Sequence, residues 1–257
     1  MGTNIRRGTR ERHEQLLVLI RSGTTHVGEL SGALGVSPST VRRDLGRLNE
    51  AGAVIRTYGG ASTGGIFRER ELSERLTVEL EAKAAIGLRA AELVPDRGTI
   101  FLDAGSTCAQ LAAHLHGHTG LTMLTRGLEI ALQLAPEPDL DVVIIGGRVA
   151  PKSHGLVGPL TDLALDRFMF DVAFIGVDAV DPIDGVGEPT LIEAHVKEAV
   201  ARRARKVVVL ADATKLDRGT VPAWAPLPQG WTLVTNEQDD AVLDRYRSVG
   251  VEVLTTA

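Results

Sequence analysis

The sequence predicts an α/β protein preceded by a small helical domain, and two observations support this fold class. From residue 99 onward, apolar runs typical of strands alternate with glycine-containing turns and helical patterns. Before residue 52, the apolar residues recur at helical spacing instead. Because continuous apolar strands that alternate with helices form parallel sheets buried on both faces, residues 96–257 are predicted to form a Rossmann-like, mostly parallel α/β domain.

The composition is that of an ordinary globular protein. The chain has 257 residues, of which 44% are apolar and 24% are charged. It is therefore long enough for one large or two modest domains, each with a core. No apolar run reaches the about 18 residues of a membrane helix, and the N-terminal arginines precede no apolar stretch of signal-peptide type. We therefore expect a cytoplasmic protein without a membrane partner.

Cysteine content and charge exclude some functions and favour another. Cys108 is the only cysteine, which excludes an intramolecular disulfide and a thiolate metal cluster. The net charge of −5 is divided unevenly: residues 1–61 contain nine arginines, no lysine and five acidic residues and carry +4, and the remainder carries −9. A basic head on an acidic body is expected of a protein whose head alone contacts phosphates.

The first predicted elements are two short helices. Residues 11–21 contain an apolar run flanked by arginines, and residues 29–34 place Leu30 and Leu34 on one helical face. A glycine-containing turn at residues 35–37 leads into a third helix. Two helices joined in this way, the second bearing hydroxyls and arginines, are typical of a helix-turn-helix.

The third predicted helix has marked ends and two different faces. Ser37 can accept a hydrogen bond from a first-turn amide, Pro38 suits the first helical position, and Gly52 suits the position after the end. One face is the apolar stripe of Val41, Leu45 and Leu48. The other face carries hydroxyls and guanidinium groups that suit phosphates and guanine edges, namely those of Ser37, Ser39, Thr40, Arg42 and Arg43.

We therefore predict a recognition helix that binds DNA. The alternative is that Arg42 and Arg43 belong to an ordinary solvated face, with Asp44 or Glu50 as local partners.

The segment after the third helix predicts a wing and then a linker. Residues 54–55 have strand character, Arg56 and Tyr58 could contact a phosphate or a groove, and two glycines follow. A plain hairpin with an exposed arginine is an equal alternative for Arg56. We assign residues 1–60 to the DNA-binding domain and residues 61–95 to a linker and connector helix, because leucines recur at helical spacing over residues 71–93.

Polar motifs collect where the strands of residues 96–257 are predicted to end, and parallel sheets bind ligands at that edge. The DAGST turn, residues 103–107, lies between a strand and a helix, so we expect a phosphate on its amides and hydroxyls. The turn lacks a P-loop lysine, and a purely structural turn is the alternative. The predicted effector-binding residues are Asp103, Gly105, Ser106, Thr107, Thr125, Arg126, Gly146, Gly147, Lys152, Asp178, Glu193, Lys197 and Lys215.

This combination of side chains favours a phosphorylated, polyhydroxylated molecule, because cations neutralise phosphate and carboxylates accept from sugar hydroxyls. An enzyme is the rival class, since Asp178 and Glu193 could form an acid/base pair for sugar-phosphate isomerisation. Histidines 114, 116 and 118 lack acidic partners at ligand spacing and are taken as surface side chains. We predict no metal, no cofactor and no catalytic residue.

These motifs resemble those of the DeoR-type bacterial transcription regulators over nearly the whole chain. The head carries VSPSTVRRDLGRLNEAG and YGGA, followed by Lys83 and then by LDAGST, TR, GG with LVGPL, FIGVDAV, IEAHVK and ADATK. The resemblance implies a winged helix-turn-helix and a sensor domain similar in fold to ribose-5-phosphate isomerase and glucosamine-6-phosphate deaminase. It also implies a response to phosphorylated sugars or related catabolic intermediates.

Two departures from the family pattern concern the effector. The chain has Thr125-Arg126 where the family commonly has Thr-Asn, and Gly176-Val177-Asp178-Ala179 where many members have GASG. An added cation and an added carboxylate would change the effector, so its identity stays open. The related isomerases carry an Asp-Gly-Ala-Asp motif, of which only the second carboxylate, Asp178, is retained here. This argues against catalysis.

We therefore predict a ligand-responsive DNA-binding regulator, a repressor of a sugar or carbohydrate catabolic operon. Its expected partners are double-stranded operator DNA, a phosphorylated sugar or similar effector, and a second copy of itself in a homodimer or higher oligomer.

Overall fold

The structure, a computed structural model, describes residues 2–21, 27–50, 55–57, 60–62, 71–216 and 221–256. The chain divides into two compact units, residues 1–68 and residues 69–257. Within the described residues, no helix is both long enough and apolar enough to cross a membrane.

The first unit contains three helices and a hairpin. The helices are α1 (Gly2–Arg21), α2 (Val27–Leu34) and α3 (Pro38–Glu50), and strands β1 (Ile55–Thr57) and β2 (Gly60–Ser62) pair antiparallel. The hairpin therefore extends into the segment predicted as linker. The predicted stripe of α3 is confirmed, because it is buried in a core formed by Leu16, Ile20, Val27, Leu30, Val41, Leu45 and Leu48.

The second unit is built on a parallel sheet of seven strands. They are β3 (Gly98–Leu102), β4 (Leu121–Thr125), β5 (Asp141–Ile144), β8 (Phe170–Gly176), β11 (Ala204–Leu210), β13 (Thr232–Thr235) and β14 (Glu252–Thr255). Their order is β14-β13-β11-β8-β3-β4-β5, and every pairing is parallel. All seven strands were predicted from apolar runs.

Helices bury both faces of this sheet, as its apolar strands require. One side is covered by α5 (Leu80–Ala91), α6 (Ser106–Ala112) and α7 (Leu128–Leu134), and the other by α8 (Pro159–Leu165), α9 (Leu191–Arg203) and α10 (Asp240–Arg247). The strands contribute Leu102 and Phe174 to the first core and Phe101 and Ile175 to the second. Alternating strand residues thus pack on opposite sides.

The sequence did not predict two small antiparallel sheets. Strands β6 (Arg148–Val149) and β7 (Leu156–Val157) form a hairpin, and β9 (Ala179–Asp181), β10 (Gly185–Glu188) and β12 (Ala223–Ala225) form a three-stranded sheet. Their short strands are too brief to produce a clear period. Gly185 has φ +87°, and a Cβ there would lie 2.2 Å from the Ala225 carbonyl oxygen, so this glycine permits the close approach of β10 and β12.

The connector differs from the single helix predicted over residues 71–93. It consists of α4 (Leu72–Arg75), a turn and then α5, and Glu79 lies in the left-handed region with φ 54°. The side chains of Leu76 and Leu80 are 37% and 48% exposed, so the leucines do not form one buried stripe. The Lys83 ammonium group donates to the carbonyl oxygens of Arg75 and Val78 at 2.7 and 2.6 Å. This lysine satisfies carbonyls that a continuous helix would have used.

The strand order places a topological switch point beside β3. From β3 the chain adds β4 and β5 on one side and then crosses to β8 on the other. Ligands in open parallel sheets bind outside the carboxyl ends of the strands at such a point. Residues that directly follow β3 and β8 are therefore candidates for a ligand site.

Candidate functional site

The N-terminus of α3 is capped as the sequence predicts. The Ser37 hydroxyl accepts a hydrogen bond from the Thr40 amide at 3.2 Å. It also lies 2.8 Å from the Ser39 hydroxyl and 2.9 Å from the Thr40 hydroxyl. Ser37 and Ser39 are exposed and Thr40 is half-buried. The cap therefore concentrates three hydroxyl groups at the end of a recognition helix that commonly contacts base edges and phosphates.

Arg42 and Arg43 are exposed on the face of α3 that is not packed. The alternative that Asp44 neutralises them does not hold, because Asp44 is 1% exposed and faces α1. The Arg12 Nε donates to Asp44 Oδ2 at 2.6 Å, and His13 Nε2 lies 3.2 Å from Asp44 Oδ1. Between the residues that the structure describes, no ion pair joins Arg42 or Arg43 to an acidic side chain, and the side chain of Glu50, the other partner considered, lies outside the described part.

The partners of Asp44 outweigh its burial. Burial alone would raise the pKa of the Asp44 carboxyl, but hydrogen bonds and charge from Arg12 and His13 lower it overall. The carboxylate thus joins α3 to α1, while Arg42 and Arg43 stay exposed on the opposite face.

The predicted wing is present as the β1–β2 hairpin. Arg56 lies in β1, but its side chain and the whole of Tyr58 fall outside the described part of the chain. Their predicted contacts with DNA stay predictions.

In the second unit, Asp103 is the centre of a buried group of charges that directly follows β3. It is 0% exposed, and Arg126 Nε donates to its Oδ1 at 2.6 Å. The Lys197 ammonium group donates to Asp103 Oδ2 and to the Gly176 carbonyl oxygen, and it lies 3.1 Å from Glu188 Oε1. The ends of β3, β4 and β8, the strand β10 and the helix α9 therefore meet at this group.

The charges of this group hold one another ionised. Burial would raise the pKa of Asp103, but the cations of Arg126 and Lys197 lower it overall. Burial would likewise lower the pKa values of Arg126 and Lys197, but the Asp103 carboxylate raises both overall. Glu188 behaves differently, because burial raises its pKa to about 8 despite the opposing charge of Lys197.

Two further carboxylates lie next to this group. Glu193 accepts from the hydroxyls of Ser153 at 2.8 Å and Thr190 at 2.9 Å. Asp178 Oδ1 lies 3.7 Å from both Arg75 Nη2 and Lys215 Nζ. The site therefore combines several cations with carboxyl groups whose pKa values are shifted in opposite directions, down for Asp103 and up for Glu188.

These side chains line a narrow cavity with a volume of about 10 Å³, roughly the room that one water molecule needs. The Arg126 Nη1 atom is buried and has no hydrogen-bond partner within the described residues. A buried guanidinium nitrogen without an acceptor is costly, and an anionic or hydroxylated ligand would satisfy it. The cavity is lined by Arg75, Ala104, Arg126, Ser153, Gly176, Val177, Asp178, Glu188, Glu193 and Lys197.

The structure brings together part of the predicted effector set. Arg126, Asp178, Glu193 and Lys197 line the cavity, and Asp103 and Lys215 contact lining residues. Ser106 and Thr107 are buried at the start of α6, after Gly105. These residues occupy the switch point that the strand order defines.

Other predicted residues serve the surrounding backbone. The Thr125 hydroxyl accepts from the Gly127 amide at 3.0 Å, and the Lys152 carbonyl accepts from the Leu72 amide at 2.9 Å. Gly146 and Gly147 do not line the cavity. The Gly146 carbonyl accepts from the Thr161 hydroxyl, and a Cβ on Gly147 would lie 2.3 Å from that hydroxyl, so the missing side chain of Gly147 allows close packing against α8.

Six lining residues were not among the predicted ones: the polar residues Arg75, Ser153 and Glu188, together with Ala104, Gly176 and Val177. Arg75 belongs to the connector, where the leucine spacing suggested only a packed helix. Ser153 lies in a turn, and Glu188 lies in the short strand β10. The expectation that the three neighbouring histidines lack acidic partners needs correction as well, since His116 Nδ1 lies 2.6 Å from Glu137 Oε1.

Comparison with known proteins identifies the family. The model of the DeoR-like helix-turn-helix domain matches residues 12–64, and the model of the DeoR C terminal sensor domain matches residues 78–237. The chain therefore belongs to the DeoR family of transcriptional regulators. It is a DNA-binding regulator and not an enzyme, so the isomerase alternative based on Asp178 and Glu193 is set aside.

Two regulators and one solved structure illustrate what this chain is similar to. The HTH-type transcriptional regulator GlpR of Haloferax volcanii is 32% identical, over 95% of this chain and 96% of the relative. The glycerol-3-phosphate regulon repressor of Escherichia coli is 28% identical, over 82% and 84% of the two chains. A solved ribose 5-phosphate isomerase A of Methanocaldococcus jannaschii covers 53% of this chain and 54% of its own, with 20% identity and a TM-score of 0.40.

Proposed function

We propose that this regulator represses a sugar or carbohydrate catabolic operon and leaves its operator when a phosphorylated sugar or a related metabolite binds the cavity at the switch point. The observation that carries the proposal is the buried group of Asp103, Arg126 and Lys197 beside a cavity of the second unit, in which Arg126 Nη1, packed against Gly155, has no hydrogen-bond partner within the described residues. The name of the glycerol-3-phosphate regulon repressor supports both repression and a phosphorylated effector.

The effector is proposed to bind the residues that the sequence singled out around this cavity. Cationic groups of Arg126, Lys197 and Lys215 attract the phosphate, and Asp178 and Glu193 accept hydrogen bonds from sugar hydroxyls. The amides and hydroxyls of residues 105–107 complete the anion site. Because Arg126 Nε already pairs with Asp103, only the remainder of its guanidinium group serves the effector.

The operator is proposed to bind Ser37, Ser39, Thr40, Arg42 and Arg43 of α3, together with Arg56 and Tyr58 of the wing. A homodimer or higher oligomer is part of the proposal, because two recognition helices read a repeated half-site better than one.

The test measures operator release. Fluorescence anisotropy with the promoter DNA of the regulator's own gene gives the operator affinity with and without a panel of triose, pentose, hexose and hexosamine phosphates. We expect at least one phosphorylated compound to release the DNA and its dephosphorylated counterpart to have no effect. If no member of the panel changes either the operator affinity or the melting temperature, the proposal of a phosphorylated effector fails.

A further inference from the structure

The cavity includes one residue of the connector, Arg75 of the four-residue helix α4. Its Nη2 atom lies 3.7 Å from Asp178 Oδ1 and 3.7 Å from the place that a Cβ on Gly105 would occupy. The guanidinium group therefore faces both the carboxylate after β8 and the turn after β3. Gly105 has φ +121°, which favours glycine, and so the space between this turn and Arg75 stays clear of a side chain.

Three contacts within the described part of the chain help to hold α4 in place. Its first amide, of Leu72, donates to the Lys152 carbonyl at 2.9 Å. Its last carbonyl, of Arg75, accepts from Lys83, whose side chain is buried in α5. The third contact is the Arg75 guanidinium group in the cavity. A helix of four residues has no stability of its own, so these contacts help to determine where it lies.

Arg75 and Asp178 form an ion pair with a long separation between the charged groups. At 3.7 Å, the closest contact is beyond the 2.7–3.2 Å of a hydrogen bond, and Lys215 lies at the same distance from the same oxygen. One carboxylate thus stands between two cations without bonding closely to either. A phosphate group has more acceptor oxygens and forms shorter, charge-assisted bonds with a guanidinium fork.

We propose that Arg75 is an effector ligand supplied by the connector, and that it exchanges Asp178 for an anionic group of the effector held against the Gly105 turn. The inference rests on the proposed function, and it adds a contact through which an effector bound in the cavity acts on the connector helix α4. Bound anion fixes the Arg75 side chain and with it α4, which follows in sequence the segment leading from the DNA-binding unit. Occupancy of the cavity thereby acts on a helix that lies a few residues after the boundary between the two units at residue 68.

The proposal assigns opposite effects to the two members of this ion pair. Replacing Arg75 removes a ligand and weakens effector binding. Replacing Asp178 by the uncharged, similarly shaped asparagine removes the charge that competes for Arg75 but keeps an oxygen that can accept from a sugar hydroxyl, so it strengthens effector binding. If the effector instead needs the negative charge of Asp178, both substitutions weaken effector binding.

The experiment compares full-length wild type, Arg75→Gln, Arg75→Lys, Asp178→Asn and the control Arg89→Gln. Arg89 lies on neighbouring α5 and pairs with Glu92 at the surface, so the control loses the same charge outside the cavity. Calorimetry gives the affinity for inorganic phosphate and for the panel compound that releases wild type from the operator most strongly. Circular dichroism and melting temperature verify that each variant folds.

We expect Arg75→Gln to lower the affinity for the panel compound about ten- to a hundredfold, since the variant cannot form the charge-assisted bond. Arg75→Lys should fall between Arg75→Gln and wild type, because an ammonium group keeps the charge but not the fork. Asp178→Asn should bind more tightly than wild type, and Arg89→Gln should match wild type. The operator should be released at correspondingly shifted concentrations.

The outcomes separate this inference from the proposed function. If wild type responds to a phosphorylated compound and both Arg75 variants respond equally well, Arg75 is not a ligand, although the proposed effector site stands. Weaker binding by Asp178→Asn would overturn the exchange with Asp178. If wild type responds to no phosphorylated compound, the proposed function fails and this inference fails with it. Should Arg75→Gln not fold, Arg75→Lys and Asp178→Asn still decide the question.

Discussion

At the scale of single residues, Glu188 combines almost complete burial with a cationic neighbour. Its pKa is about 8 in the folded protein against 4.5 for an unperturbed glutamate. Between these two values the folded state binds more protons than the unfolded state. The free energy of unfolding therefore falls as the pH rises through this window, and the contribution of neutral Glu188 is lost above about pH 8.

The first prediction concerns Glu188→Gln, which keeps the shape of the neutral side chain but cannot ionise. Relative to wild type, this variant should gain roughly 1–3 kcal/mol of stability between about pH 5 and about pH 9. Urea denaturation at the two pH values measures the change. Glu198→Gln, on the exposed side of α9, serves as control and should show a nearly constant difference from wild type. A constant difference for Glu188→Gln would show that Glu188 is ionised throughout.

The sequence indicated most of the residues that belong to the charged group, but it did not indicate which of them pair with one another. Asp103, Arg126 and Asp178 were recognisable because each closely follows an apolar strand. Their pairings were not, since Lys197 reaches Asp103 from a position 94 residues later in the chain. Arg126 was predicted to neutralise the effector, yet its Nε is engaged by Asp103. Arg75 and Glu188 lie in a four-residue helix and a four-residue strand, which are too short for periodicity to reveal which way a side chain points.

At the scale of elements, α3 separates packing from recognition. Its buried side holds the apolar stripe and Asp44, and its exposed side holds the arginines. Because Asp44 already pairs with Arg12, removing Arg42 and Arg43 should leave the core of the first unit unchanged.

The second prediction follows from this division. The double substitution Arg42→Ala and Arg43→Ala should abolish specific operator binding, because removing a guanidinium fork that bonds a base edge costs roughly 1–3 kcal/mol. Anisotropy with operator DNA measures the change in affinity, and the melting temperature should stay close to that of wild type. Arg202→Ala, which removes an arginine from α9, is the control. Unchanged operator affinity of the double variant would mean that another surface binds DNA.

The connector shows what periodicity cannot predict. Leucines at positions 72, 76 and 80 are spaced as in one helix, but the helix is interrupted between them, with Glu79 in the left-handed region. The left-handed conformation of a non-glycine residue is unfavourable by itself. Lys83 compensates for the break by donating to two carbonyl groups, a tertiary contact that sequence spacing does not reveal. The prediction of helical structure over residues 71–93 was therefore correct for most residues, but the prediction of one continuous helix was wrong.

At the scale of the whole molecule, the strand order explains where the candidate effector site lies. The seven parallel strands were predictable because each contains an apolar run, although the edge strands β5 and β14 are only partly buried. Their order was not, since it depends on the crossover from β5 to β8. That crossover creates the switch point at which the charged group lies.

The third prediction is that operator and effector oppose each other by the same factor. If the effector weakens operator binding, the operator must weaken effector binding equally, typically 5–150-fold. Calorimetry with and without operator DNA in one buffer measures this factor for the strongest compound of the panel. Equal effector affinities in both conditions would mean that the two units are uncoupled. Tighter binding in the presence of DNA would preserve the coupling and overturn the assignment as a repressor.

Because the buried charges pair with one another inside the protein, operator binding and effector binding should depend differently on ionic strength. Operator affinity should fall steeply with salt, with a logarithmic slope of about −0.9 for each phosphate contacted, because binding releases counterions from DNA. Buried ion pairs are screened much less than exposed ones. The cations of the cavity have their counterions built into the protein at Asp103 and Asp178, so effector affinity should change much less over the same range. Rising salt would therefore detach the regulator from DNA while leaving its sensing of the metabolite nearly unaltered.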